Sequence, residues 1–274
     1  MYTFSDLWNT PPDDSSIIRY WSYEKFLDLL SRKQIYFREI SKFIETDPKE
    51  GMIPYANRNI LAGGFLRVQF RNEIIEAYHD YAKLNQIVKF CQHFTCINCW
   101  SLSDKENYRM WKEYAGRDNI EGAVAIKTTI GNLKDAFSST KQEVFIGKIK
   151  YVRHEKYRNK NYDPFSFAFL KDKVTYDWEK ELRLAVVNFD ETNKIIQELN
   201  GINSIEDFFR INLDKNNGIE YTMVDCNLNK LIDEVILSPW VNTEMEMKIV
   251  ELLKEKGLGN TVIKQSYYKQ AVQR

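Results

Sequence analysis

Apolar and polar positions alternate along the chain in short runs whose periods separate strands from helices. After a polar, proline-containing leader (residues 1–16), "IIRYWS" reads as a strand. Ser22 is placed to cap a helix that buries Phe26, Leu27, Leu29 and Leu30, with Glu24 near its positive end. "QIYF" reads as a second strand, and "ETDPKEGMIP" as a loop punctuated by Pro48, Gly51 and Pro54. Over residues 59–89 the apolar positions from Ile60 to Ile87 fall at helical intervals, predicting one or two amphipathic helices with an interruption at Gly63 and Gly64. "HFTCINCWSL" reads as a buried strand leading into a short helix on which Tyr108, Trp111 and Tyr114 share a face before Gly116.

"GAVAIKT" and "EVFIGKIKYV" read as two more strands joined by a helix from Ile130 to Phe137. In "WEKELRLAVVNF", Glu179, Glu181 and Arg183 alternate with Leu182, Leu184 and Val186 as on a strand. "LIDEVILSPW" and "NTVIKQS" predict two closing strands, flanking an amphipathic helix, "TEMEMKIVELLKEKGLG", that glycine stops. Helices interrupt strands without a regular βαβ alternation. The expected fold is therefore α+β, a single compact domain over residues 1–274 with a mixed central sheet and flanking helices.

Composition adds bounds. The 274 residues are 43% apolar, enough for a packed core, and 39 basic side chains balance 39 acidic ones. That balance argues against tight sequence-independent binding to a phosphate backbone, while a local basic groove stays open. No run approaches the roughly 20 apolar residues a membrane helix requires, and the N-terminus lacks a secretory pattern, so a cytoplasmic protein with four reduced cysteines is expected. The 14% aromatic content reads mainly as core and groove lining.

Several clusters could carry chemistry. "CQHFTCINC" gathers Cys91, His93, Cys96 and Cys99, but no second ligand pair follows and an extended strand would point Cys96 and Cys99 to opposite faces. Buried structural cysteines and no metal are expected. In "WSLS", Ser101 and Ser103 fall on one strand face; they either look into one space or serve neighbouring backbone groups, with Ser103 or Asp104 suited to cap the next helix. Glu179, Glu181 and Arg183 form either a solvated ladder or a cleft wall where Arg183 holds a carboxylate. Arg19 closes the first apolar strand beside Tyr20 and Trp21. "RHEKYRNKNY" reads as a solvated loop, with contact to single-stranded nucleic acid as the alternative.

Taken in order, the early-strand arginine, the aromatic-Ser-x-Ser strand and the Glu-x-Glu strand resemble the Arg, Ser, Glu triad of ADP-ribosyltransferases. "RYWSYEKFLDLLSRKQIYF", "DPKEG", "WSLSDKENYRMWKEYAG", "GAVAIK", "WEKELRL" and "IDEVILSP" also resemble successive blocks of the bacterial family catalogued as domain of unknown function 2971. Thr46 stands where that family usually has asparagine. The first resemblance implies an NAD-using enzyme, a toxin or antiphage effector modifying nucleic acid or protein. Arg19, beside Tyr20, would bind the dinucleotide, Ser101 and Ser103 would organise the pocket, and Trp111 and Tyr114 would wall it. Glu181 would be the catalytic carboxylate, with Glu179 near the acceptor and Arg183 completing the set. Two other readings stay open: a non-enzymatic module that senses a ligand or phage component, and a metal-dependent nuclease on Asp47, Glu50, Glu179 and Glu181. A partner or regulator protein fits any of the three.

Overall fold

The computed structural model describes residues 8–57, 65–70, 73–78, 81–116, 120–158, 164–188 and 219–272. Its opening is β1 (Ser16–Trp21), α1 (Tyr23–Arg32) and β2 (Gln34–Glu39). Ser22 caps α1 by accepting from the Lys25 amide, and Phe26, Leu29 and Leu30 are buried while Leu27 faces outward. Leu27 thus corrects the predicted apolar face: it sits one step beyond the stripe that the helical period turns toward the sheet.

The segment predicted as helical over 59–89 divides differently. β3 (Phe65–Phe70) and β4 (Glu73–Tyr78) form an antiparallel pair in register Phe65 to Tyr78, and α2 (Tyr81–Phe94) follows. "LRVQF" alternates apolar and polar with period two, a signal that the wider helical spacing obscured. Residues 59–64, with Gly63 and Gly64, lie outside the described residues, as do residues 1–7 of the leader and Lys160.

β5 (Thr95–Leu102) starts after His93 and Phe94, which close α2. α3 (Tyr108–Tyr114) is capped by Asn107 rather than by Ser103 or Asp104, because Ser103 is spent locally, donating to the Lys105 carbonyl. β6 (Val124–Thr129) leads into α4 (Ile130–Ala136). The predicted strand "EVFIGKIKYV" is broken at Ile149 into β7 (Phe145–Lys148) and β8 (Lys150–Val152), the latter pairing with β9 (Leu170–Asp172) in a small parallel sheet. β10 (Glu181–Val187), β11 (Tyr221–Asp225), β12 (Glu234–Leu237), α5 (Thr243–Glu255) and β13 (Val262–Gln265) complete the order used below.

The main sheet runs β11-β2-β5-β1-β6-β12-β13, with β10 pairing β5 and β7; β12 and β13 are parallel and the other ladders antiparallel, so this is an α+β domain on a mixed sheet. One face packs Ile17, Phe26, Leu30, Phe37, Trp100, Leu182 and Leu184 into the largest core. The other carries Ile18, Tyr20, Trp111 and Ala125 at one end and Trp8, Ile97, Phe169 and Ala185 at the other. Each large apolar side chain removed from water there contributes about 1.5–3 kcal/mol before entropy is counted.

β5 positions the site. β10 covers one of its edges from Thr95 to Ser101. On the opposite edge β2 meets only Cys96 and Ile97, and β1 only Ser101 and Leu102. β1 and β2 therefore diverge over Asn98, Cys99 and Trp100. Two side chains bridge the split where backbone pairing lapses. Asn98 Nδ2 donates to the Tyr36 carbonyl on β2 at 2.9 Å, and an Arg19 amine on β1 donates to the Cys99 carbonyl at 2.7 Å.

Among the described residues, no helix is long and apolar enough to cross a membrane.

Candidate active site

A cavity of about 530 Å³ opens over the split. Sheet register explains its residues. Ile18, Ser101 and Glu181 form one row across β1, β5 and β10, which brings Arg19 and the Glu-x-Glu segment from distant parts of the sequence to one place. Arg19, Tyr20, Ser101, Tyr114, Glu179 and Glu181 all line this cavity.

The carboxylates occupy one wall. Glu181 is 3% exposed; its Oε1 accepts from Arg183 Nε at 2.8 Å and its Oε2 from Lys171 Nζ at 2.9 Å. Lys171 also donates to Glu179 Oε2 at 2.7 Å, while Glu179 Oε1 accepts from the Tyr114 hydroxyl. Ser101 Oγ donates to the Glu179 carbonyl at 2.8 Å, and Tyr151 accepts from the Glu181 amide at 2.6 Å. Glu179 itself lies in a 3-10 turn, Asp177–Glu179, not on β10; Lys180, at φ 47°, reverses the chain between the two glutamates. The predicted strand alternation is thus corrected for Glu179, although its side chain still meets the same lysine as Glu181.

Three of the predicted residues lie elsewhere. Arg183 is 1% exposed and does not line the cavity; it holds Glu181 from behind, with Glu50 at 2.7 Å and the Ala168 carbonyl as further acceptors. Trp111 is fully buried, edge-on to Tyr20 at 4.9 Å and donating to Glu106 at 2.9 Å, so it backs the wall without forming it. Ser103 lies past the end of β5, in a second cavity with Trp178, Lys180 and Tyr268. It does not line the main cavity, but Ser101 lines both, so the two serines share the second cavity. Tyr20 accepts from the Asn107 amide at 2.8 Å and so fixes the entry to α3.

Lys171, Lys25 and Arg38 on the cavity wall were missed. Lys171 had a legible signal: it follows the apolar run "FSFAFL", and a lysine there is buried only when paired. Lys25 and Arg38 had none, since each reads locally as an ordinary surface cation.

The cavity is electrically divided. Burial, with Arg19 and Arg38, holds the Lys25 ammonium below its ordinary value, which places three cations together. Burial and the Glu50 carboxylate push Asp47 up. Burial, countered by Lys171 and reinforced by Glu181, pushes Glu179 up. For Glu181 burial is outweighed by Arg183 and Lys171, which bring it down to about 2. Burial lowers Arg19 to about 10, so it remains a cation at neutral pH. Arg19 Nε, Trp21 Nε1 and Asp47 Oδ2, all on cavity-lining residues, are buried without a hydrogen-bond partner. Each such group costs about 1–3 kcal/mol in the unliganded fold.

These shifts have opposite signs in stability. Glu181 titrates in the fold below an unfolded glutamate (about 4.3), so its ion pairs stabilise fully above that value and fade as the pH drops toward about 2. Glu179 and Asp47 are raised, so they cost stability at neutral pH and return it on protonation. Urea unfolding at constant ionic strength is expected to show its steepest loss of stability below about pH 4, the gain from Glu179 and Asp47 between about pH 7 and about pH 5 being opposed by the buried His154, whose imidazole is held below its ordinary value by burial. A loss already complete by about pH 5 would contradict the assignment of Glu181.

Cys96 belongs to the main core and Cys99 to the opposite face, each with its thiol pushed up by burial. Among the described residues no group of three His, Cys, Asp or Glu side chains converges as a metal site. Glu50 and Glu181 already face Arg183, and Glu179 and Glu181 face Lys171, so three of the four carboxylates of the nuclease reading are engaged by the protein's own cations.

No protein-family model matches the chain, and no curated protein does. Among solved structures, DarT from Thermus sp. 2.9 in complex with NAD+ aligns with 95% of this chain and 98% of its own at 8% identity, with a TM-score of 0.38. The same protein in complex with ADP-ribosylated single-stranded DNA aligns with 96% and 98% at 10% identity and a TM-score of 0.33. TM-scores of this size do not establish a common fold.

Proposed function

We propose that this cleft binds NAD and transfers its ADP-ribosyl group to an acceptor. The observation that carries the reading is the division of charge: Arg19, Lys25 and Arg38 gather on one part of the wall, and Glu179, Glu181 and Asp47 on another. NAD has the matching polarity, an anionic diphosphate and a cationic nicotinamide. Arginine is suited to the diphosphate because its fixed fork of donors pairs with phosphate oxygens.

In the reaction the bond between the ribose C1′ and the nicotinamide nitrogen breaks, and nicotinamide leaves with the bonding pair. Positive charge develops on the ribose, and the Glu181 carboxylate, held ionised by Arg183 and Lys171, stabilises it. The acceptor supplies a lone pair to C1′ and loses its proton; Glu179, whose affinity for a proton is raised, is the base. Ser101 steadies the Glu179 backbone.

Proton NMR of the purified protein with NAD, with and without single-stranded nucleic acid and cell protein as acceptors, is expected to show free nicotinamide accumulating. Absence of nicotinamide under all of these conditions overturns the reading.

A further inference from the structure

Lys171 stands at the junction of the carboxylate wall and is 9% exposed. It projects from β9, outside the main sheet, and its Nζ donates to Glu179 at 2.7 Å and Glu181 at 2.9 Å. The Tyr176 ring lies 4.4 Å from the same nitrogen. A lysine buried this deeply is retained only where the charges around it require one.

The local balance shows that requirement. Arg183 faces Glu50 and Glu181, and Lys171 faces Glu179 and Glu181, so two cations serve three carboxylates. Asp47, close to Glu50, adds a fourth acid, and Arg19 reaches Glu181 across the cleft. The remaining neighbours are the Tyr114, Tyr151 and Tyr176 hydroxyls and the Cys99 thiol, all pushed up by burial and hence uncharged at neutral pH. Removing Lys171 would leave Glu179 without a cation among the described contacts, with Arg183 still held by Glu50 and Glu181.

We infer that Lys171 is a positioning residue: as the shared partner of Glu179 and Glu181 it keeps both carboxylates ionised side by side and fixes which oxygen of each faces the cleft. Glu181 Oε2 and Glu179 Oε2 turn to the lysine, leaving Glu179 Oε1 with Tyr114 and Glu181 Oε1 with Arg183. Each carboxylate oxygen has a second lone pair, so the ion pairs do not prevent contact with a ligand. The role in transfer rests on the NAD reading above; the control of ionisation does not.

The test compares wild type with Lys171→Met and Lys171→Arg, using glutamate labelled with carbon-13 at the side-chain carboxyl and titrated by NMR. In Lys171→Met a wall carboxyl is expected to titrate about one pH unit or more higher than in wild type, and Lys171→Arg to return it most of the way. With NAD, the acid limb of the kcat profile for nicotinamide release is expected to move by the same amount, with KM changing less than kcat. An unmoved carboxyl titration overturns the proposal, and so does a shifted titration with an unmoved acid limb. If Lys171→Met does not fold, Lys171→Met combined with Glu179→Gln removes one charge of each sign. Glu181, left with Arg183, is then expected to titrate above its wild-type value, and an unmoved Glu181 in that double variant overturns the pairing. A wild type that titrates as described and releases no nicotinamide defeats the NAD reading alone.

Discussion

Glu181→Gln is expected to slow nicotinamide release from NAD by about 100-fold or more, the scale on which removing one preorganised electrostatic partner of a transition state acts. The substitution keeps the shape and deletes the charge. Lys171 retains Glu179, and Arg183 retains Glu50 and the Ala168 carbonyl, so no cation on the wall is orphaned. The cost in stability is therefore held to about 1–3 kcal/mol, which circular dichroism and urea unfolding will register separately from the rate. KM for NAD is expected to change little, because the diphosphate is assigned to Arg19, Lys25 and Arg38 on another part of the wall. Full turnover by this variant would remove Glu181 from the chemistry.

The largest effect on the fold is expected at Arg183. Its guanidinium is the only group the described contacts give to Glu50, and it shares Glu181 with Lys171. Arg183→Met leaves Glu50 buried and uncompensated, and breaking a buried pair in this way costs about 3–5 kcal/mol. Adding Glu50→Gln removes the stranded charge, so the double variant is expected to recover about 1–3 kcal/mol of that loss. Urea denaturation of the two single variants and the double completes the cycle. A single variant within about 1 kcal/mol of wild type would mean that the pair does not hold β10 to the loop carrying Glu50.

The sequence was most informative where structure is local. β1, α1, β2, α4, α5 and β13 follow from period and capping alone, because each is set by residues a few positions apart. It misled where two periods compete, as over Phe65 to Tyr78, where spacing compatible with a helix coexists with strict alternation in "LRVQF". Arg19, Ser101 and Glu181 were legible as residue types in order, yet nothing local shows that strand register gathers them at one cavity. Trp111 and Arg183 carried the same signal and lie behind the wall, since a sequence records that a large or charged residue is unusual but not which side of a packed layer it occupies.

By itself, then, the sequence determined most of the succession of strands and helices, the balanced charge and the residues whose chemistry is uncommon. Tertiary structure alone decided the split between β1 and β2 along β5, the pairing of Lys171 with two glutamates and the withdrawal of Arg183 to Glu50. Those arise from strand register and from the need to neutralise charge in a dry interior, and both are settled between residues far apart in the chain.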